Sequence, residues 1–198
     1  MIKQRSQFQE LVNLLRASQC HFQIWWVLKN ETDRKRFVRT MNSYLYFFSP
    51  AISAHFVALV TALFIFHDSD ERSVGIPVLL QSWEKSGKID RANADGLRCR
   101  IGQLEPLLKK LRFIRHKVIA HRSRSPTYNE AFRKASLTPD NLQELLTQTC
   151  AILHDLGRLI GEDVPTSFIG SPDGDTRQLL EDLRAFRAAR FAKLEISS

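Results

Sequence analysis

Cysteine is scarce in this chain. Its three residues, Cys20, Cys99 and Cys150, are odd in number, widely spaced and without a C-x-x-C pair, which argues against a structural disulfide framework. The opening residues, MIKQRSQFQE, carry no secretory leader, so a reducing cytoplasm is the expected setting. The glycine loops G-x-x-x-x-G-K-[ST] and G-x-G-x-x-G are missing, which removes the usual phosphate cradle for a nucleoside triphosphate. G-x-S-x-G is missing too, and no cysteine has an evident histidine partner, so a nucleophilic hydrolase has no handle. Period-two alternation and Asn-Gly hairpin signals are also absent, which leaves little room for β-structure.

Charge is absent from one long stretch. Between Thr40 and Phe66 there is no Asp, Glu, Lys or Arg, and AISAHFVALVTALFIF at 51–66 is strongly apolar. That length approaches a bilayer span. Asn42, Ser43, Ser49, Pro50, Ser53 and His55 interrupt it, however, and in lipid each would need a partner. A helix buried in the protein's own core is expected, and no membrane.

What is present suits a globular protein. The 198 residues are 43% hydrophobic and 25% charged, enough for a sizeable core, and a single domain over residues 1–198 is expected. Apolar residues recur at three- and four-residue steps, so the fold class is all-α, with helix packed on helix. The expected helices run from about Ser6 to Leu28, Glu31 to Phe48, and Ser49-Pro50 to His67, the last two being alternatively one helix kinked at Pro50. Another is expected from a Ser73 cap to about Ser86 with Gly87 as its stop, and then Asp90 to about His121, bent near Pro106. A polar turn, SRSPTYNE, follows. Thr138-Pro139 opens a helix to about Ile160, VPTSFIGSPDGD is a loop, and a terminal helix spans about Thr176 to Leu194.

The chemistry concentrates in one segment. From Arg98 to Arg124 there are nine Lys or Arg against one acid, Glu105, as much net charge as the +8 of the entire chain. Within it, Ile101, Leu104, Leu107, Leu108, Leu111, Ile114 and Val118 form one apolar helical stripe that must face the core. With Leu111 at zero, Arg115 lies at about +40° and His121 at about −80°. Arg115 thus sits inside the packed stripe and has to find an anion, a carboxylate or a water-filled cleft. Side chains about 120° apart on one straight helix do not grip one phosphate. Two copies about a twofold axis can bring them together.

An arginine and a histidine in a positive field suit RNA strand cleavage without metal, because the ribose 2′-hydroxyl is itself the nucleophile. Histidine titrates near neutrality and can move a proton, whereas the arginine fork matches two phosphate oxygens. Lys109, Lys110, Arg112, Lys117, Arg122 and Arg124 would concentrate the polyanion and lower the histidine's pKa. The same charges could instead solvate a helix face, with His121 favourably placed near a helix C-terminus. Asp68 either orients His121 or Arg115 or caps a helix end. His67 with Asp68 and Asp70 lacks a second ligand pair at metal spacing, so neither metal nor cofactor is expected.

RHKVIAH, within LRFIRHKVIAHRS, resembles the Arg-x(4–6)-His signature of the HEPN superfamily, here with five intervening residues. FIFHDSDERSVGIPVLL and IRHKVIAH together resemble the U-type abortive-infection branch, in which a long apolar helix ending in aspartate precedes a turn, a short helix and a long helix closing in R-x-K-x-x-A-H. The likeness runs from about Tyr44 to His121. It matches Arg115 and His121 to the signature pair, His116 to the polar residue after the arginine and Asp68 to the aspartate. The resemblance implies a HEPN-like helical bundle, with its motif-bearing core at about 31–160 and an additional C-terminal helix at about 176–194. It also implies a homodimeric, metal-independent endoribonuclease used as a toxin or phage-defence effector, with RNA as substrate and an antitoxin or phage-derived regulator as a further partner. Some members of similar fold only bind, so a non-catalytic RNA- or protein-binding module is the alternative.

Overall fold

The structure is a computed structural model that describes residues 2–120, 128–164 and 170–196. Among the described residues the regular structure is entirely helical: α1 (Ile2–Lys29), α2 (Glu31–Ser43), α3 (Leu45–Phe66), α4 (Ile76–Lys85), α5 (Arg91–Gln103), α6 (Glu105–Ile114), a π-helical segment (Arg115–Ala120), α7 (Tyr128–Ala135), α8 (Pro139–Leu159) and α9 (Pro172–Ile196). The fold is the all-α HEPN-like bundle expected from the sequence, with α9 as its additional C-terminal helix. The chain divides into two compact units: Met1–Gln19 with Leu59–Ser167, and Cys20–Ala58 with Phe168–Ser198.

In the larger unit, leucines and isoleucines at helical spacing bury one face of each element. Leu104, Leu108, Leu111 and Ile114 are at most 5% exposed, so these four members of the expected apolar stripe face the core, while Ile101, Leu107 and Val118 are half-buried. Phe8, Phe66, Ile76 and Trp83 are fully buried with them, and the Phe8 and Trp83 rings lie 5.5 Å apart. Each such aliphatic side chain contributes about 1.5–3 kcal/mol by leaving water. The α8 N-terminus is built as its sequence predicts: Thr138 accepts from Asn141 N–H, the Asn141 side chain accepts from Thr138 N–H, and Pro139 fills the first turn. Asp90 caps α5 in a similar way.

The smaller unit has a modest core of Val27, Leu28, Phe37, Met41, Phe48 and Leu180. Its polar tie is Asp33, 8% exposed, which accepts from Arg177 and from the Asn30 side chain that caps α2.

Several boundaries differ from expectation, each for a local reason. Helix α3 begins at Leu45, not at Ser49-Pro50, because the chain breaks at Tyr44 (φ −123°) and Pro50 is accommodated inside the helix. Pro50 has no N–H to donate to the Tyr46 carbonyl one turn back, and Tyr46 is 96% exposed. Ser73 is not the cap of α4. Gly75 is, and Ser73 donates to the Asp68 carbonyl while accepting from Gly75 N–H. The expected helix from Asp90 to His121 is three pieces, interrupted at Leu104 and converted to π geometry from Arg115. Helix α7 takes up the end of the segment read as a polar turn, held by buried Ala131 and Ala135, and α9 starts four residues early at Pro172.

Candidate functional site

The basic segment reaches its candidate site through α6. Leu108, Leu111 and Ile114 fix that helix on the core, and the winding then changes to π geometry over Arg115–Ala120, the beginning of RHKVIAH. Single π turns inserted in helices occur often at functional sites. The π geometry from Arg115 to Ala120 departs from a straight α-helix, and the angle of about 120° expected between Arg115 and His121 ends on a residue outside the described ones.

Arg115 is half-buried, and what it meets is an aromatic face. Its guanidinium carbon lies 3.8 Å from the centroid of the Phe64 ring on α3. Among the described residues no carboxylate pairs with it. A guanidinium over an aromatic face is attracted by the ring quadrupole, which needs none of its N–H donors. The demand that burial places on this arginine is therefore met without consuming its hydrogen-bonding edge. Phe64 was missed in the sequence, where it is one apolar residue among many in an uncharged helix.

The remaining assigned residues differ in their surroundings. Lys110 donates to the Ser136 carbonyl and to Asn141 Oδ1, each at 3.1 Å, and Arg112 pairs with Glu105 at 2.6 Å. Both cations thus have structural partners. Lys109, exposed, and Lys117, half-buried, form no ion pair among the described residues. His116 is exposed on the π turn. His121, Arg122 and Arg124 lie outside the described residues. Asp68 closes a turn, its Oδ1 accepting from Asp70 N–H at 3.1 Å, while Asp70 itself pairs with Arg72.

His67 turns away from these acids. It is 6% exposed, and its Nε2 lies 2.9 Å from Thr149 Oγ1. The Thr149 hydroxyl spends its hydrogen on the Leu145 carbonyl at 2.7 Å, so it accepts from His67 Nε2–H and the buried Nδ1 is a bare acceptor without a partner. Burial first, and the Arg112 guanidinium second, push this imidazole down to about 4, with Glu105 pulling the other way.

Two further pairings were not seen in the sequence. His21 and His55 approach Nδ1 to Nδ1 at 2.8 Å, so one ring donates to the other, and burial pushes both pKa values down. Cys150 shares a cavity of about 490 Å³ with Gln19, Thr147, His154 and Asp155. The i, i+4 spacing of Cys150 and His154 was the available signal. Burial pushes the Cys150 thiol up, which keeps it protonated rather than nucleophilic.

A family model described as AbiU2, HEPN_AbiU2, matches residues 5–184. The chain belongs to the HEPN AbiU2 family. No curated protein and no solved structure matches it. Membership extends well beyond the segment from Tyr44 to His121 that carried the resemblance, taking in nearly all of α1 and more than half of α9. An RNase-related or abortive-infection-related role is what an AbiU2 family domain suggests.

Proposed function

We propose that this AbiU2 protein is a metal-independent endoribonuclease serving as a toxin or phage-defence effector, and that it works as a homodimer in which Arg115 and His121 of both copies serve one cleft. The observation that carries this reading is the state of Arg115. A half-buried arginine at the start of the family's motif has no carboxylate partner among the described residues and has its guanidinium carbon 3.8 Å from the centroid of the Phe64 ring, as a group kept for an incoming anion would.

In this mechanism the ribose 2′-hydroxyl attacks the adjacent phosphorus, its proton leaves to a base, and the departing 5′-oxygen takes a proton from an acid. His121 serves in proton transfer. Arg115 holds two phosphate oxygens and stabilises charge on the crowded phosphorane, in which they are more negative than in the substrate. Lys109 and Lys117 supply cations toward the strand, with Arg122 and Arg124, while Lys110 and Arg112 hold α6 in place. The products are a cyclic or 3′-phosphate end and a 5′-hydroxyl.

The purified protein is expected to cut RNA in EDTA. Arg115→Ala and His121→Ala should each abolish cleavage with the oligomeric state unchanged. Full activity in His121→Ala would remove its assigned role. Retention of RNA with a steep salt dependence, but no products on long incubation, would instead establish the non-catalytic binding module.

A further inference from the structure

Helix α3 belongs to the core for only part of its length. In its most apolar stretch 33% of the residues are buried, among them Phe48 and Phe56 in the smaller unit, where Ile52 packs partly against the Phe48 cluster. The expected burial of the entire uncharged helix fails at its first turn. Leu45, Tyr46 and Phe47 stand in solvent at 53%, 96% and 62% exposure, and because they are consecutive they form one apolar tip where α2 gives way to α3. Surface helices carry charge on their outer side, yet the exposed Ser49, Pro50, Ser53, Ala54 and Val57 that follow carry none.

The charge that α3 lacks stands beside the tip on α2 and α9. Those two helices run parallel, since Asp33 meets Arg177, Arg36 meets Glu181, and the Arg39 carbonyl accepts from Arg187 at 2.8 Å. Arg39 precedes Leu45 closely enough that only about 8 Å of helix lies between them. Past Arg187, α9 continues in the same direction and carries Arg190 about 4.5 Å further toward that end. Arg39 and Arg190 are exposed and form no ion pair among the described residues. No acid occurs from Arg34 to His67 or from Arg184 to Ala192. A cationic collar therefore lies within about one Debye length, 8–10 Å, of an apolar tip.

Such a tip fits the interface of a bilayer. Apolar side chains enter the acyl boundary to a depth of about 5–10 Å, a tyrosine keeps its hydroxyl at the headgroup level, and arginines reach phosphates while their stems lie along apolar surface. Single-stranded RNA is disfavoured, because its sites combine stacking rings with a cationic groove that tracks the backbone, whereas Leu45 has no π face and α3 carries no cation. A protein partner would need a pocket for each ring. A bilayer instead moulds itself around a side chain as exposed as Tyr46. A full span is disfavoured too, since Phe48 and Phe56 already commit the inward side of α3 to the protein's core.

We infer that the smaller unit carries a peripheral membrane-docking surface: Leu45, Tyr46 and Phe47 enter the interface of an anionic bilayer while Arg39 and Arg190 bind its lipid phosphates. This departs from the expectation of no membrane, which rested on the cost of a spanning helix and not of a shallow tip. It stands whether or not the protein cuts RNA.

Co-sedimentation of the full chain with vesicles tests it. At about 0.1 M salt the protein should pellet with phosphatidylglycerol vesicles and stay in solution with phosphatidylcholine alone, and about 0.5 M salt should release it. Tyr46→Ser with Phe47→Ser, at positions already exposed, should lower the partition coefficient about 30-fold with circular dichroism unchanged. Arg39→Gln with Arg190→Gln should lower it about as much, at about fivefold for each cation. Arg133→Gln with Lys134→Gln removes the same charge from exposed positions on α7 and should lower it less than about threefold. A wild-type chain left in the supernatant at about 1 mM anionic lipid overturns the inference, as do equal losses in the two charge variants. Unchanged vesicle binding in the Tyr46→Ser and Phe47→Ser protein overturns it as well. If that protein instead loses a single-stranded oligonucleotide, or a dimer seen by sedimentation equilibrium, the tip serves RNA or a second copy.

Discussion

Replacing His67 with phenylalanine should change how this protein responds to acid far more than how stable it is at neutrality. The imidazole is 6% exposed and donates to Thr149 from Nε2, with its other nitrogen buried and unpartnered. Its folded-state pKa of about 4 lies below the ordinary value of 6.5. The unfolded chain therefore binds a proton at this site over a range where the folded chain does not, and stability rises with pH. The contribution is fully present above about pH 6.5 and is lost as the pH falls toward 4. At 1.36 kcal/mol per pH unit the loss comes to about 3 kcal/mol. Phenylalanine keeps a ring of similar size, leaves the Thr149 hydroxyl its bond to Leu145 and does not titrate. Near pH 7 the exchange gives up one hydrogen bond and removes a buried orphan acceptor, so a net change within about 1 kcal/mol is expected. Urea unfolding followed by circular dichroism at pH 7, 6, 5 and 4 reads the difference between the two proteins. His21 and His55 titrate equally in both and cancel. The difference should swing by about 3 kcal/mol toward the variant, and an NMR titration should find His67 still neutral at pH 5.5. A difference that stays flat within about 0.5 kcal/mol across the range refutes the argument, as would a His67 resonance titrating near 6.5.

Four other substitutions test the packing of the larger unit. Gly75 has ordinary backbone angles, φ −66° and ψ 156°, but a Cβ there would lie 2.0 Å from the Asp68 carbonyl oxygen, so Gly75→Ala should destabilise by about 1–3 kcal/mol, whereas Gly96→Ala, whose Cβ would enter open space within α5, should stabilise by up to about 1 kcal/mol in the same unfolding assay. Phe64→Leu should couple to Arg115→Ala in a double-mutant cycle by about 0.5–2 kcal/mol, and strictly additive losses would show that the ring does not hold the guanidinium.

Much of the fold can be read locally. Thr138 with Pro139, Asp90 before α5 and the stripe of Leu104, Leu108, Leu111 and Ile114 declare themselves through residue type and spacing, since capping and helix amphipathicity act over one or two turns. Errors gathered where neighbouring signals conflicted. Pro50 suggested a helix start but was outweighed by the break at Tyr44, Ser73 suggested a cap but faces the Asp68 turn, and the short α7 has only Ala131, Phe132 and Ala135 to mark its inner side. Of the candidate site, Arg115 and the cations around it are expectations that residue type and spacing supply, whereas what they touch is not.

By itself, then, the sequence determined an all-α chain with a dense run of cations between Arg98 and Arg124 and a family motif near the end of that run. Tertiary structure alone decided that Arg115 lies on Phe64 rather than on an acid, that His67 serves Thr149 82 residues away, and that Lys110 and Arg112 are tied within the molecule. Local preferences set which way a backbone winds. A side chain's partner depends on which helix faces meet, and that is chosen by the burial of the entire core at once.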